Sequence, residues 1–428
     1  MGSMVQAMAV DSGGKPESTV WGWGRRVPLA QAVFANAIFG RCRELDDVHE
    51  GSPLIGFGHG GHVSVMVVPA VLAAAEASGE PVSGAELLTA IAVGADIIAR
   101  IRMAAGRNGR LGFEGPSIAP FGVAAALCRL WRFDEETTAN AWGAAYSQCC
   151  GNVQGTADGS WDVWLNAGLG ARGGVWAADL ARHGHQGTRA PLTGRAGLYP
   201  LYFRGEYHEA ALLKGLGISF EGANLSVKLY SSCQYTHHAI HTACELVRLH
   251  RVPVEDIARI QVRTNRDEMR VTVVDGQGRT KYEPDSVAAA QFSLPFVIAL
   301  GLLRGSVFPD VLTEDAIRDP AVLGLARRID IEESPERNAA LEVEGYPPDW
   351  ITIKTVDGRV FDGMFPHPKG HPQNPASFDD LVDKFNRCCS LVRDAPGEAA
   401  RSAFLEAVGS LSSAPDCRGL VADLFDVR

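Results

Sequence analysis

The chain has 428 residues, of which 46% are hydrophobic and 21% charged, and a formal net charge of -10. That length exceeds one ordinary core and points to two domains, or to one large domain carrying an insertion. The acidic balance, with no basic stripe, excludes phosphate-backbone binding, so nucleic acid is not an expected partner; a local basic pocket for a small anion stays open.

The first residues show no cationic segment followed by an apolar one, so no secretory leader is read there. The nine cysteines form no C-x-x-C pair and are odd in number, which reads as reduced thiols in a cytoplasmic protein. Next comes the most chemically loaded stretch. Glu44, Asp46, Asp47, His49, His59 and His62 fall close together, just before an apolar run over residues 63–75. Acids and imidazoles beside a buried helix are costly unless hydrogen-bonded, metal-bound or used for proton transfer. The apolar run contains Pro69 and ends at Glu76, too short to span a membrane.

Ser83-Gly84-Ala85-Glu86 is a capping-box pattern that opens a helix running to Ile101. Further helices are expected over residues 116–130, 134–150 and 165–183. Gly168, Gly170, Gly173 and Gly174 would each weaken an isolated helix by roughly 1 kcal/mol against Ala, so tight packing or backbone access must offset them. Beyond residue 225 the texture changes. A helix over 236–249 leads into a half-buried strand over 257–264, whose residues alternate with period two. Residues 271–274 read as a second strand. Residues 351–356 and 359–361 flank Asp357-Gly358, a type I′ hairpin signal. Helices are expected over 286–303 and 320–328, a proline-rich connector over 366–375, and helices again from 378. The fold class is therefore mainly α: a large all-helical body (residues 1–225 plus 376–428) interrupted by a smaller α+β domain (residues 226–375).

Six segments in order resemble the MmgE/PrpD family, which contains 2-methylcitrate dehydratases, cis-aconitate decarboxylase and iminodisuccinate epimerase. They are Glu44-Leu45-Asp46-Asp47-Val48-His49, the His62-to-Pro69 segment, residues 83–101, Lys228-to-His237, Phe292-Ser293-Leu294-Pro295-Phe296, and residues 374–385. The resemblance implies an all-helical body with an α+β lid, a homodimer, no metal or organic cofactor, and a small carboxylic-acid substrate, with no membrane partner. Residues 13–17 resemble a segment that members reach after one or two helices, so a short N-terminus is expected. Several positions depart from the family pattern. Glu44 stands where members carry aspartate, Val48 replaces threonine, Ser231 replaces proline, and Glu114 takes a histidine's place. The lysine that members carry has no counterpart in residues 162–172.

The family's reactions share one difficulty: moving a proton at carbon next to a carboxylate, which needs an acid/base of tunable pKa and fixed positive charge. His62 matches the family histidine and is the expected proton carrier, since histidine titrates near neutrality; its structural alternative is a helix-capping residue. Lys228, at the seam of body and lid, is expected to clamp a carboxylate, against the alternative of a solvated lysine. Asp46 and Asp47 would orient the base or cap a helix. Glu44, His59, His237, Glu114, Cys233 and Arg172 complete the candidate substrate-binding set, Cys233 and Arg172 being equally readable as structural. A metal held by His59, His62 and Asp47 is disfavoured, because a glycine loop offers no preformed ligand face. The expected activity is a cofactor-independent lyase, a dehydratase or decarboxylase of a hydroxy- or unsaturated polycarboxylic acid. The alternatives are an isomerase or epimerase on the same scaffold, and an inactive dimeric homologue.

Overall fold

The computed structural model describes residues 2–52, 54–55, 60–106, 112, 115–341, 346–392 and 394–425. The chain is mainly α-helical, with small β elements. Six helices of the first half (Leu29–Arg41, Ser64–Glu76, Gly84–Ala104, Ala119–Leu130, Glu135–Tyr146 and Asp162–Arg182) supply most of one large core of Ala, Val, Ile and Leu side chains. Ser83 caps its helix with the reciprocal Glu86 contact expected of a capping box. Asp134 caps helix Glu135–Tyr146 by accepting from the Thr137 amide at 2.8 Å. The glycine-rich helix Asp162–Arg182 explains its own composition. A Cβ at Gly174 would lie 2.5 Å from Val123, and one at Gly168 would lie 2.7 Å from Ile38, so close backbone approach offsets the weak propensity. Pro69 lies inside Ser64–Glu76 without ending it. Gly2–Asp11, a helix not anticipated from the sequence, buries Val5 and Ala9 beside Phe34 and Ile38.

A second core forms from residues 239–353. Its sheet runs Ile329–Glu333, Ile257–Thr264, Trp350–Thr355, Val360–Gly363 in spatial order, with the first pair parallel and the others antiparallel. The predicted strand over 257–264 is therefore present, while Ile329–Glu333 was not anticipated. Three local expectations need correction. Residues 271–274 are not a strand: Met269–Val273 is a π-helix, and only Val274 makes a β-bridge, to Thr280. The β-branched residues are overridden by Asn265, whose side chain accepts from the Asp267 and Glu268 amides and starts a helical turn just upstream. The helix expected over 286–303 is two, Val287–Ala290 and Leu294–Arg304, because Ser286 and Ser293 each act as an N-cap. The hairpin turn is not type I′, since Gly358 (φ 89°) has a positive φ and Asp357 does not. The Thr355 amide donates to the Arg359 carbonyl at 3.0 Å, and a left-handed glycine closes a longer loop.

The C-terminal segments return to earlier parts of the chain. The Gly84 amide donates to the Ala414 carbonyl at 2.9 Å and the Cys417 amide to Val82 at 2.7 Å. Helix Phe378–Ser390 sends Lys384 to the Leu45 and Lys228 carbonyls. Among the described residues, no helix is long and apolar enough to cross a membrane.

Candidate active site

The site is assembled by a short ladder between distant segments. Strand Asp47–His49 pairs antiparallel with Leu225–Val227, Asp47 opposite Val227. The residues just outside that pair, Asp46 and Lys228, therefore leave the ladder side by side. On the other side His49 bridges Gly61, with its amide donating to the Gly61 carbonyl at 2.9 Å, so His62 is delivered to the same place. Helix Leu29–Arg41 ends here and presents the buried Arg41 guanidinium from its last turn, where a cation suits the helix dipole.

His62 donates from Nδ1 to Asp46 Oδ2 at 2.6 Å, so the opposite nitrogen, Nε2, carries the lone pair. That nitrogen accepts from Arg41 Nη2 at 3.1 Å. Burial, and then the neighbouring Arg41 charge, push the His62 pKa down to about 4, against the opposing pull of Asp46. The imidazole is thus neutral at neutral pH. Burial alone would raise Asp46, but the neighbouring His62, which donates to it, and the Arg41 and Lys228 charges overcome it and hold the carboxyl well below the usual range.

Glu44 has a left-handed backbone (φ 50°), rare for a residue with a side chain, and is fully buried. That turn aims its carboxylate between Arg41, which it contacts directly, and Lys228 Nζ at 2.7 Å. Lys228 Nζ also lies 3.9 Å from Asp46 Oδ1. Two cations and two carboxylates thus interlock in a dry environment, where pairing is required to hold any of them charged. Burial lowers the Lys228 pKa to about 8, with Asp46 opposing.

A cavity of about 480 Å³ opens onto this cluster. His62, Glu44 and Cys233 line it, as do Arg41, Arg102, Gln234, Tyr235, Arg270 and Tyr346. Lys228 is placed differently from the expectation. Its side chain has no exposed surface and does not line the cavity; Nζ faces Glu44 and Asp46 instead. Asp47 also faces away: both carboxylate oxygens accept from the Ser64 amide at 3.2 Å, capping helix Ser64–Glu76, and burial with Asp46 nearby raises its pKa to about 6. His237 is buried, donates from Nε2 to the Ser232 carbonyl at 3.2 Å and packs edge-on against Tyr230; it does not line the cavity. Arg172 stacks over Phe34 and borders a separate depression near Met4 and Trp161. Burial raises the Cys233 thiol. His59, with the His59–His62–Asp47 metal reading that depends on it, and Glu114 lie outside the described residues.

Sequence reasoning passed over three cavity or support groups. Arg41 had a findable signal: three acids at 44, 46 and 47 in a buried setting demand a cation nearby, and Arg41 is three residues upstream. Lys384 had none, because its role depends on where the C-terminal helix docks. Glu50, which accepts from Gln234 Nε2 at 2.5 Å and from Ser226, is raised by burial to about 7 behind the cavity wall.

Chemically, the arrangement offers a neutral imidazole with a carboxylate behind it and a guanidinium beside its free nitrogen. Such a group can take a proton from carbon while Asp46 stabilises the imidazolium, and Arg41 can meet negative charge that develops next to it. A comparison with curated proteins finds no match. The sequence model of the MmgE/PrpD N-terminal domain matches residues 2–210, and that of the MmgE/PrpD C-terminal domain matches residues 230–408. Spanning both halves in order, the chain belongs to the MmgE/PrpD family, whose members are generally enzymes of the dehydratase and lyase type.

Proposed function

We propose that the protein is a cofactor-independent lyase, dehydrating or decarboxylating a hydroxy- or unsaturated polycarboxylic acid through proton transfer at the carbon next to a carboxylate. The observation that carries this reading is the Asp46–His62–Arg41 alignment at the cavity wall. In a dehydration, His62 Nε2 removes the proton, the C–O bond breaks as the double bond forms, and the imidazolium hands its proton to the departing hydroxide as water. In a decarboxylation the carboxyl leaves as CO2 and His62 passes a proton from water to the resulting carbanion. In both, Asp46 fixes the tautomer and stabilises the imidazolium. Arg41 shifts from His62 to the substrate carboxylate, which lowers the cost of the enolate-like state. Lys228 and Glu44 hold Arg41 and Asp46 in place. A substrate carboxylate against Arg41 would also weaken the charge that depresses His62 and so make it a stronger base once loaded.

The same proposal takes residues 226–375 as a lid over a body of residues 1–225 plus 376–428. It also includes a homodimer in a cytoplasmic setting. Support for the dimer comes from Leu201, Leu213, Leu216 and Ile218, large apolar side chains exposed within one short stretch. Nine free cysteines agree with a reducing compartment. An isomerase or epimerase is the second reading, favoured by the missing family lysine: His62 would return its proton with no group lost.

Proton NMR in D2O with a panel of citrate-like acids separates the readings. A lyase yields olefin signals or CO2, whereas an epimerase washes deuterium into the substrate without product. His62→Ala should abolish either signal, and full activity in that variant would refute the assigned base.

A further inference from the structure

The cavity has two characters. Around His62 it is ionic, but Tyr235, Val271, Phe292 and Tyr346 also line it. Three of these, with Cys233, belong to one hydrophobic cluster that the cavity cuts into. Tyr346 packs edge-on against Tyr235, ring centroids 5.0 Å apart, which extends the wall as a continuous aromatic surface. Of the other charged lining groups, Asp275 and Arg270 are occupied or lie toward solvent, and Arg102 also borders the cavity. Asp275 is taken up by Arg279 at 2.6 Å and by turn amides, and the Arg270 side chain is 54% exposed, 3.7 Å from Asp267.

A small polycarboxylate would leave that wall wetted. A volume of about 480 Å³ that sets one apolar, partly aromatic wall against a polar, arginine-bearing side is the form of a site for a larger, amphipathic ligand. Resting on the reading of His62 and Arg41 as the reacting pole, we infer that the substrate is a carboxylate carrying a bulky apolar or aromatic arm. The carboxylate meets Arg41 and the arm lies on the wall of Tyr235, Val271, Phe292 and Tyr346. Burial of such an arm drives binding without adding charge, and the wall sets specificity.

Calorimetric titration with succinate, benzylsuccinate and tricarballylate tests this. Benzylsuccinate should bind the wild-type protein about tenfold or more tightly than succinate, the gain expected for burying a ring. Tyr346→Ala and, independently, Val271→Asn should each shrink that ratio several-fold while leaving succinate unchanged; neither side chain is fully buried, so both variants should fold. The inference is overturned if benzylsuccinate binds no better than succinate, if tricarballylate binds tightest, if none of the three binds, or if both variants keep the wild-type ratio. Deuterium wash-in tests the base separately. A protein that ranks benzylsuccinate first yet exchanges nothing keeps the wall and loses the assigned chemistry.

Discussion

At the scale of single residues, the proposed base is a histidine whose free nitrogen and neutrality are set by its neighbours. Asp46 selects which nitrogen is free, and Arg41 with burial keeps the ring neutral. Replacing Asp46 by Asn removes the charge that stabilises the imidazolium. The turnover number should fall by about 10²–10⁴-fold with the circular dichroism spectrum unchanged. The pH dependence of kcat/KM follows from the same groups. His62 must be neutral, so the rate is lost as pH falls through about 4; Lys228 must be charged to hold Glu44 and Asp46, so it declines as pH rises through about 8. Lys228 also separates two roles. A residue that only clamps substrate can be removed without harm to folding, but Lys228 neutralises carboxylates that are fully buried. Lys228→Met should therefore destabilise the protein by about 3–5 kcal/mol in urea unfolding, besides abolishing turnover. An unchanged midpoint would place the lysine in the substrate's path after all.

At the scale of elements, three-residue strands do most of the positioning. The ladder between Asp47–His49 and Leu225–Val227 is too short to be seen as a period in the sequence, yet it sets Asp46 beside Lys228. Its outer edge is held by the proline-rich connector, where the Val227 amide donates to the Gly370 carbonyl at 2.9 Å. Gly370 has φ 97°, and an added Cβ would sit 2.1 Å from the Val227 carbonyl oxygen. Gly370→Ala should thus displace the strand that ends at Lys228, lowering both Tm and kcat; wild-type values for both would show that the connector does not set the ladder. Long amphipathic helices were legible in the sequence because period, caps and charge agreed, as at Ser83 and Asp134. Residues 271–274 were not, because their β-branched composition pointed one way while the Asn265 cap upstream pointed the other. The site was legible only in part. His62, Glu44 and Asp46 stood out as a cluster, and the side to which Asp47, Lys228 and His237 face is fixed by pairings and helix docking that no local pattern encodes.

At the scale of the molecule, two hydrophobic cores flank the site, and the second carries an unusual load. Glu268 and Asp349 are both buried at the end of the sheet next to Thr264. Burial and then the Asp349 charge raise Glu268 well above its ordinary value, and burial raises Asp349 to about 7. For acids whose pKa is raised in the folded state, the protonated form is the favoured one. Their contribution is complete below the ordinary carboxylate range and is lost as pH rises through the folded pKa. Tm should accordingly decline between about pH 5 and pH 8, and Glu268→Gln, neutral at every pH, should flatten that decline. An unaltered slope in the variant would assign it to other groups.

The protonation state of one ring underlies the whole proposal. Nitrogen NMR of histidine-labelled protein, with His62 assigned by comparison with His62→Ala, reads it directly at pH 7. The expected result is a neutral imidazole protonated at Nδ1, which becomes charged only near pH 4 in the free protein. A His62 that is an imidazolium at pH 7, or that carries its proton on Nε2, would contradict it.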